Sequence, residues 1–417
     1  MNLLPLRLMA TTGVIALIMA AAPAASASAN GGWSSAWATA HQHPRAGNEW
    51  EGANWSPSGF AQQSVRQVVR VSAGGSRVRI RLSNLYGTGP LRLAGATIAR
   101  AAEAAAVRPG TARVLRFRGS QAATIPAGRV ATSDAVPLAT RPLEKLTVTL
   151  YFAEPTGPAT FHEGGLTTSY LATGDRRFDL DGRAFAGATS HSWYFLAGVD
   201  VGGRVKGSVV AFGDSITDGA ITTPGADNRY PDELAERLVA AGKHVGVVNA
   251  GINGNMLLAD SPCFAGEKGL ARFERDALGQ PGVRTVIVLE GINDIGLGGK
   301  DSLCGKVPAV TVSGLIEGHR QLIRAAHARG IKIIGATLTP MKGNPYYYNA
   351  LNEAARDDLN HWIRTSGEYD AVADLDRALA NPDDPDAMLP AYAAADLLHP
   401  NDAGMKAIAA TVEARLR

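Results

Sequence analysis

Residues 209–219 read VVAFGDSITDG. Four apolar residues, Val209 to Phe212, stop at Gly213-Asp214-Ser215, with Thr217 and Gly219 just beyond. An apolar run without polar alternation predicts a strand buried on both faces, which is the habit of parallel sheets. Gly213 permits a sharp turn, and Asp or Ser suits the start of a helix. The stretch therefore predicts strand, turn, helix, with a serine hydroxyl and its own free N–H at the strand's carboxyl end. Two readings of Gly-Asp-Ser stand at this point: an ordinary helix N-cap, or the first piece of an active site.

The chain beyond it continues the pattern. From about Val205, SVVAF, VGVVNA, TVIVLE, IKIIGATL and YDAVADL predict strands. PDELAERLVAAG, VSGLIEGHRQLIRAAHARG and NALNEAARDDLNHWIRT predict amphipathic helices between them. Strands alternating with helices imply βαβ units and a parallel sheet, and ligands bind outside the carboxyl ends of such strands.

Upstream the period is two. In RVRIRLSN, Val78, Ile80 and Leu82 alternate with Arg77, Arg79 and Arg81; in KLTVTLYF, Leu146, Val148, Leu150 and Phe152 alternate with Lys145, Thr147, Thr149 and Tyr151. Alternation puts one face in a core and the other in water. With turn signals AGGS and PTGP and no long helical period, residues 30–204 read as a β-sandwich domain and 205–417 as the α/β domain.

At 417 residues, two domains are expected. Residues 1–29 read as an export signal: Arg7, then the apolar TTGVIALIMAAAPA, then the small residues Ala27 to Ala29. The run is short and rich in alanine for a membrane anchor, so the expected location is secreted or periplasmic, with no stable anchor. A hydrophobic content of 46%, a charged content of 19% and a formal charge of +3 suit packed domains and give no support to a nucleic-acid partner. The two cysteines, Cys263 and Cys304, suggest one disulfide in an exported protein, with two unpaired thiols as the alternative. Nothing here sets an oligomeric state.

Other strand ends carry similar signals. NAGINGN ends the second strand, where Gly254 lets a backbone N–H approach a ligand or simply makes a turn. EGINDIG ends the third, where the Asn293 amide either donates to a developing oxyanion or makes an Asx-turn beside Asp294. DLLHPNDAG precedes the last helix. Asp396 and His399 there are spaced for a carboxylate to orient an imidazole base; the alternatives are a cap by Asp402 with a surface histidine, or a metal pair.

The four blocks GDSITDG, NAGINGN, GIND and DLLHPND occur in this order, and here the chain resembles the SGNH/GDSL hydrolases over about residues 205–417. The resemblance implies a flavodoxin-like three-layer α/β/α domain and a serine esterase. It implies Ser215 as nucleophile, His399 as general base and Asp396 as its orienting partner. The Ser215 N–H, the Gly254 N–H and the Asn293 amide would form the oxyanion hole. No cofactor or metal is implied. The stretch GLARFERDALGQPGVRTVIVLEGINDIG resembles exported bacterial members with an N-terminal β-domain, some of which act on acylated polysaccharides. The expected substrate is accordingly a short acyl ester on a polysaccharide. A lipase or lysophospholipase is the alternative within this chemistry, and a carbohydrate-binding protein with an inert hydrolase domain is the alternative outside it.

Three features remain. Trp33, Trp37, Trp50 and Trp55 either offer a surface for sugar stacking or fill a core. Tyr346 to Tyr348 in NPYYYN follow the fourth strand and either line the cleft or lie exposed. The aspartates of NPDDPD suggest a solvated loop, with calcium as a second reading.

Overall fold

The structure, a computed structural model, describes residues 32–48 and 52–416. The leader expected over residues 1–29, and Trp50, lie outside them. Gly32 to Arg417 make one compact unit.

The main strands of the first half are β1 (Trp33–Ala38), β2 (Gln63–Val71), β3 (Gly75–Ser83), β4 (Gly95–Arg100), β5 (Arg113–Leu115), β6 (Val130–Thr132), β7 (Val136–Thr140), β8 (Glu144–Phe152), β9 (Ser169–Thr173), β10 (Thr189–Ser190) and β11 (Leu196–Gly202). One antiparallel sheet runs β1-β11-β3-β6, with β7 also on β3; the other runs β10-β9-β2-β8-β4-β5. Val78, Ile80 and Leu82 of the first share one core with Val65, Leu146, Val148 and Leu150 of the second. The alternation found in the sequence is thus the alternation of burial along β3.

Along β8 the outward face departs from the expectation of a wet surface. Thr147 and Thr149 are buried there. Arg66 lies across that face, donating from Nε to Thr149 Oγ1 at 2.9 Å and from Nη1 and Nη2 to the Ala105 and Asp179 carbonyls at 2.6 and 2.7 Å. Its guanidinium stacks on Phe185 at 4.1 Å. A period-two pattern identifies a strand and its greasy face; it does not show whether a later segment folds over the other face.

The second half holds a sheet of five parallel strands: β12 (Ser208–Gly213), β13 (Gly246–Gly251), β14 (Val283–Leu289), β15 (Lys332–Ala336) and β16 (Ala371–Ala373). They stand in the order β13-β12-β14-β15-β16. The chain moves to one side of β12 and then to the other. The carboxyl end of β12 is therefore the switch point, where a cleft opens between diverging connections. Around the sheet lie α1 (Ser215–Asp218), α2 (Tyr230–Ala240), α3 (Gly269–Phe273), α4 (Ile292–Leu297), α5 (Val312–His327), α6 (Ala350–Thr365), α7 (Leu375–Leu379) and α8 (Asp402–Glu413). Polar side chains cap the long ones: Thr311 before α5, Asn349 before α6 and Asn401 before α8. The core is Phe212, Val286, Ile287, Val288, Ile333 and Ile334, all fully buried.

The two large antiparallel sheets end at Gly202 and the parallel sheet begins at Ser208. The seam between them is polar and specific. Ser35 N donates to the Pro281 carbonyl at 2.8 Å, Ser208 Oγ donates to the Ser35 carbonyl at 3.0 Å, and Val247 N donates to Ser72 Oγ at 2.8 Å. Among the described residues no helix is long and apolar enough to cross a membrane.

Candidate active site

Gly213 closes β12, and Asp214 caps the turn that follows, its Oδ1 accepting from Ile216 N at 2.9 Å. The cap is Asp214 rather than Ser215, so Ser215 becomes the first residue of α1. Its N–H has no intrahelical acceptor and its hydroxyl is free to bond elsewhere. It bonds to His399: Ser215 Oγ lies 2.8 Å from His399 Nε2. His399 Nδ1 lies 2.5 Å from Asp396 Oδ2, and Asp396 Oδ1 accepts from the N–H groups of Leu398 and His399 at 3.1 and 3.0 Å. Burial works to raise the Asp396 carboxyl. Its bonds from the His399 ring, from that residue's backbone and from Leu398 outweigh burial and hold it below the usual range. An ionised Asp396 fixes the ring with Nδ1 as donor and leaves Nε2 to accept the serine proton.

Asp402 does not cap α8. Asn401 does so, accepting from Ala403 N and Gly404 N at 2.9 and 3.0 Å. Asp402 instead accepts from Thr223 Oγ1 at 2.7 Å and Asn228 Nδ2 at 2.8 Å, tying the segment after the serine turn to the histidine loop.

The structure brings Gly254 and Asn293 to the carboxyl end of the same sheet. Asn255 N donates to the Ile252 carbonyl at 3.1 Å, closing a turn in which Gly254 has φ +72°. A Cβ on Gly254 would run into the Phe264 ring. Asn293 Nδ2 donates to the Asn255 carbonyl at 2.9 Å, which leaves its second hydrogen free, and its Oδ1 accepts from Tyr347 Oη at 2.7 Å. The Asn293 side chain reaches across to another block, and Tyr347 lies half-buried beside it. Tyr346 remains exposed, with Lys300 Nζ 4.2 Å from its ring centre.

Beneath these groups lies Arg272, fully buried. It donates to the Gly213 carbonyl (2.8 Å), the Ala250 carbonyl (2.7 Å), Asn255 Oδ1 (2.8 Å) and Glu290 Oε1 (3.2 Å). One guanidinium thus joins the ends of β12, β13 and β14. Burial pushes the Glu290 carboxyl well up, Asp294 to about 6 and Asp214 to about 7. Asp294 accepts from Leu257 N and Leu258 N at 2.7 and 2.9 Å, binding the third block to the second.

Arg272 and His162 were not picked out in the sequence as site residues. Arg272 lies in GLARFERD between apolar neighbours, and that position on an apolar face was the available signal. His162 carried no signal at all.

Cys263 and Cys304 are joined, with Cα atoms 5.6 Å apart, next to Phe264. Trp37 is buried against Trp193, Trp55 stacks on Tyr194 at 5.3 Å, and Trp33 lies under Arg77 and Arg79. These three tryptophans pack the fold. Asp386 of NPDDPD lies with Glu353 and Asp357, their oxygens within 4.8 Å of one another. Arg356 already bonds to Glu353 and Asp357 and supplies the positive charge there.

Among solved structures, a GDSL-like lipase from Bacteroides thetaiotaomicron is 17% identical, covering 50% of this chain and 87% of its own, with a TM-score of 0.38. A lipase/acylhydrolase from Enterococcus faecalis is 21% identical, covering 50% and 94%, with a TM-score of 0.38. An acetyl xylan esterase is 19% identical, covering 50% and 100%, with a TM-score of 0.36. At these values the likenesses say nothing of this chain's substrate. No curated protein matches the chain. The model of the GDSL-like lipase/acylhydrolase family matches residues 211–407, the span that holds the serine turn, the glycine and asparagine at the neighbouring strand ends and the histidine loop. Over that span the chain belongs to the GDSL-like lipase/acylhydrolase family and is an ester-hydrolysing enzyme.

Proposed function

We propose that the protein is an exported serine esterase that removes short acyl groups, acetyl first among them, from a polysaccharide. Ser215 attacks the ester carbonyl while His399 takes its proton and Asp396 holds the imidazole. The Ser215 N–H, the Gly254 N–H and the Asn293 amide receive the oxyanion. The alcohol leaves with the proton from His399, and water then resolves the acyl-enzyme through the same base. The observation that carries this reading is the unbroken chain from Asp396 Oδ2 through His399 to Ser215 Oγ, with the serine at the first position of its turn. Phe264 against Gly254 crowds the donor side and favours a small acyl group. In the same reading the two antiparallel sheets form a β-sandwich and the second half is a three-layer domain.

A lipolytic esterase is the second reading. Ile221, Tyr346 and Leu397, on loops next to the site, are exposed apolar side chains that suit a longer acyl chain. Turnover of p-nitrophenyl esters of rising chain length, set against release of acetate from acetylated xylan, decides between the two. Ser215→Ala should lose roughly a thousandfold or more in kcat on any of them; retention of more than about a tenth would remove the nucleophile assignment.

A further inference from the structure

The turn Ser215–Asp218 is four residues long. A single turn does not hold itself, because fixing its backbone gains one hydrogen bond, so contacts from outside must hold it. Asn249 Nδ2 donates to the Thr217 carbonyl at 2.8 Å, and Gly251 packs so closely on Asp218 N that a Cβ has no room. The Asp218 side chain, buried, points away from the sheet and meets His162 of the N-terminal half, Oδ1 to Nε2 at 3.0 Å.

His162 is itself tightly placed. It is buried on the short strand pair Phe161–His162 and Trp193–Tyr194, and its ring stacks on Trp193. Nδ1 donates to the Ala40 carbonyl at 2.7 Å. A carbonyl can only accept, so Nδ1 carries a hydrogen and Nε2 is aimed at Asp218. The residues just after His162 hold the chain beyond the turn. The Gly165 carbonyl accepts from Arg229, and the Leu166 carbonyl accepts from Gly225 N at 2.7 Å. Asp218, Arg229, Asp232 and Arg70 border a cavity of about 20 Å³ in the same seam, space for about one water among polar groups. A joint built from directional polar contacts fixes geometry, where an apolar contact would allow sliding.

We propose that His162 is a positioning residue for the nucleophile: through Asp218 it holds the Ser215 turn in line with His399, so the N-terminal sheets are part of the catalytic frame. This rests on Ser215 being the nucleophile.

Two substitutions separate positioning from bulk. His162→Gln places an amide nitrogen where Nε2 was and keeps a hydrogen-bonding group against Asp218. His162→Asn places one where Nδ1 was and keeps the Ala40 bond while losing Asp218. The measurements are kcat and KM on p-nitrophenyl acetate, thermal midpoint, and the rate at which a p-nitrophenyl phosphonate labels Ser215. His162→Asn should lower kcat and the labelling rate together by about tenfold or more with KM within about twofold, and His162→Gln should stay within about threefold of wild type. Asp218→Ala should reproduce the loss, and His162→Asn added to it should cost nothing further. Equal rates in the Asn and Gln variants, at wild-type level or falling in step with the thermal midpoint, would overturn the inference. So would a wild-type labelling rate in Asp218→Ala, which serves if the histidine variants do not fold. An inert Ser215→Ala beside a fully active His162→Asn removes this inference alone; an active Ser215→Ala removes the nucleophile itself.

Discussion

The Tyr347 hydroxyl donates to Asn293 Oδ1 at 2.7 Å, while Asn293 Nδ2 donates to the Asn255 carbonyl at 2.9 Å. Both ends of the amide are spoken for, so its plane and its direction are set. Tyr347→Phe should lower kcat by about an order of magnitude with little change in KM, since an oxyanion donor acts mainly in the transition state. Asn293→Ala should cost a hundredfold or so, and the double variant no more than Asn293→Ala alone. A Tyr347→Phe enzyme with wild-type kcat would show that the amide needs no fixing.

Gly254→Ala tests the other donor. The residue sits at φ +72°, and the new Cβ meets the Phe264 ring. Strain of about 1 kcal/mol and displacement of the turn follow together. The expected result is a modest fall in thermal midpoint and a fall in kcat of about tenfold or more, read on p-nitrophenyl acetate. Unchanged kcat would take Gly254 out of the oxyanion site.

Asp214 imposes a pH dependence on stability. The unfolded chain ionises this carboxyl near 4, whereas burial, partly offset by the Ile216 N–H and His399, moves it to about 7 in the folded protein. Between those values the unfolded state gives up a proton that the folded state keeps, so stability falls as pH rises from about 4 to about 7. Asp214→Asn keeps an acceptor for Ile216 N and removes the titration. Urea unfolding should show the variant gaining on wild type between pH 5 and pH 8. An equal difference at both pH values would rule out the shift.

Ser215, Gly254 and Asn293 could be singled out because each follows an apolar run that announces a strand and because the rule for parallel sheets says where to look; Asp396 and His399 could be singled out by their spacing ahead of the last helix. Arg272 was not legible. Its burial depends on the Gly213 and Ala250 carbonyls and on Glu290, which only the folded sheet brings together; in the sequence its apolar neighbours are the one hint, and they do not name these partners. His162 was hidden for the same reason, since Asp218 is 56 positions away. Reading the two halves as separate units leaves out the seam at Ser35, Ser72 and His162, which is made of contacts that local pattern cannot show. Alternation likewise found the faces of β3 and β8 and was silent on the Arg66 cover.

The Cys263–Cys304 link closes a loop of 41 positions. Chain-entropy reasoning puts its stabilisation on the order of 4 kcal/mol. Replacing both cysteines by serine should lower the thermal midpoint accordingly, and kcat should fall as well because Phe264, next in the chain, backs Gly254. Thiol titration of the denatured, unreduced native protein should find no free thiol.

Trp55 stacks on Tyr194 and meets Phe60 edge-on at 6.2 Å. Trp55→Ala should destabilise by about 2 kcal/mol and reduce activity on p-nitrophenyl acetate and on acetylated xylan alike. A loss confined to the polymer would return this tryptophan to a sugar-binding role.

The strand Gly246–Gly251 is an outer member of the parallel sheet. Ser72 Oγ takes its Val247 N–H, and the Ser35 carbonyl lies against Gly246. Outer strands with open amides recruit other chains. A fragment beginning near residue 205 would carry this ribbon uncovered, and its first fault would be colloidal: chains would join edge to edge before any question of turnover arose. The N-terminal sheets thus also act as an intramolecular guard, and solubility of such a fragment would depend on whatever replaced Ser35 and Ser72.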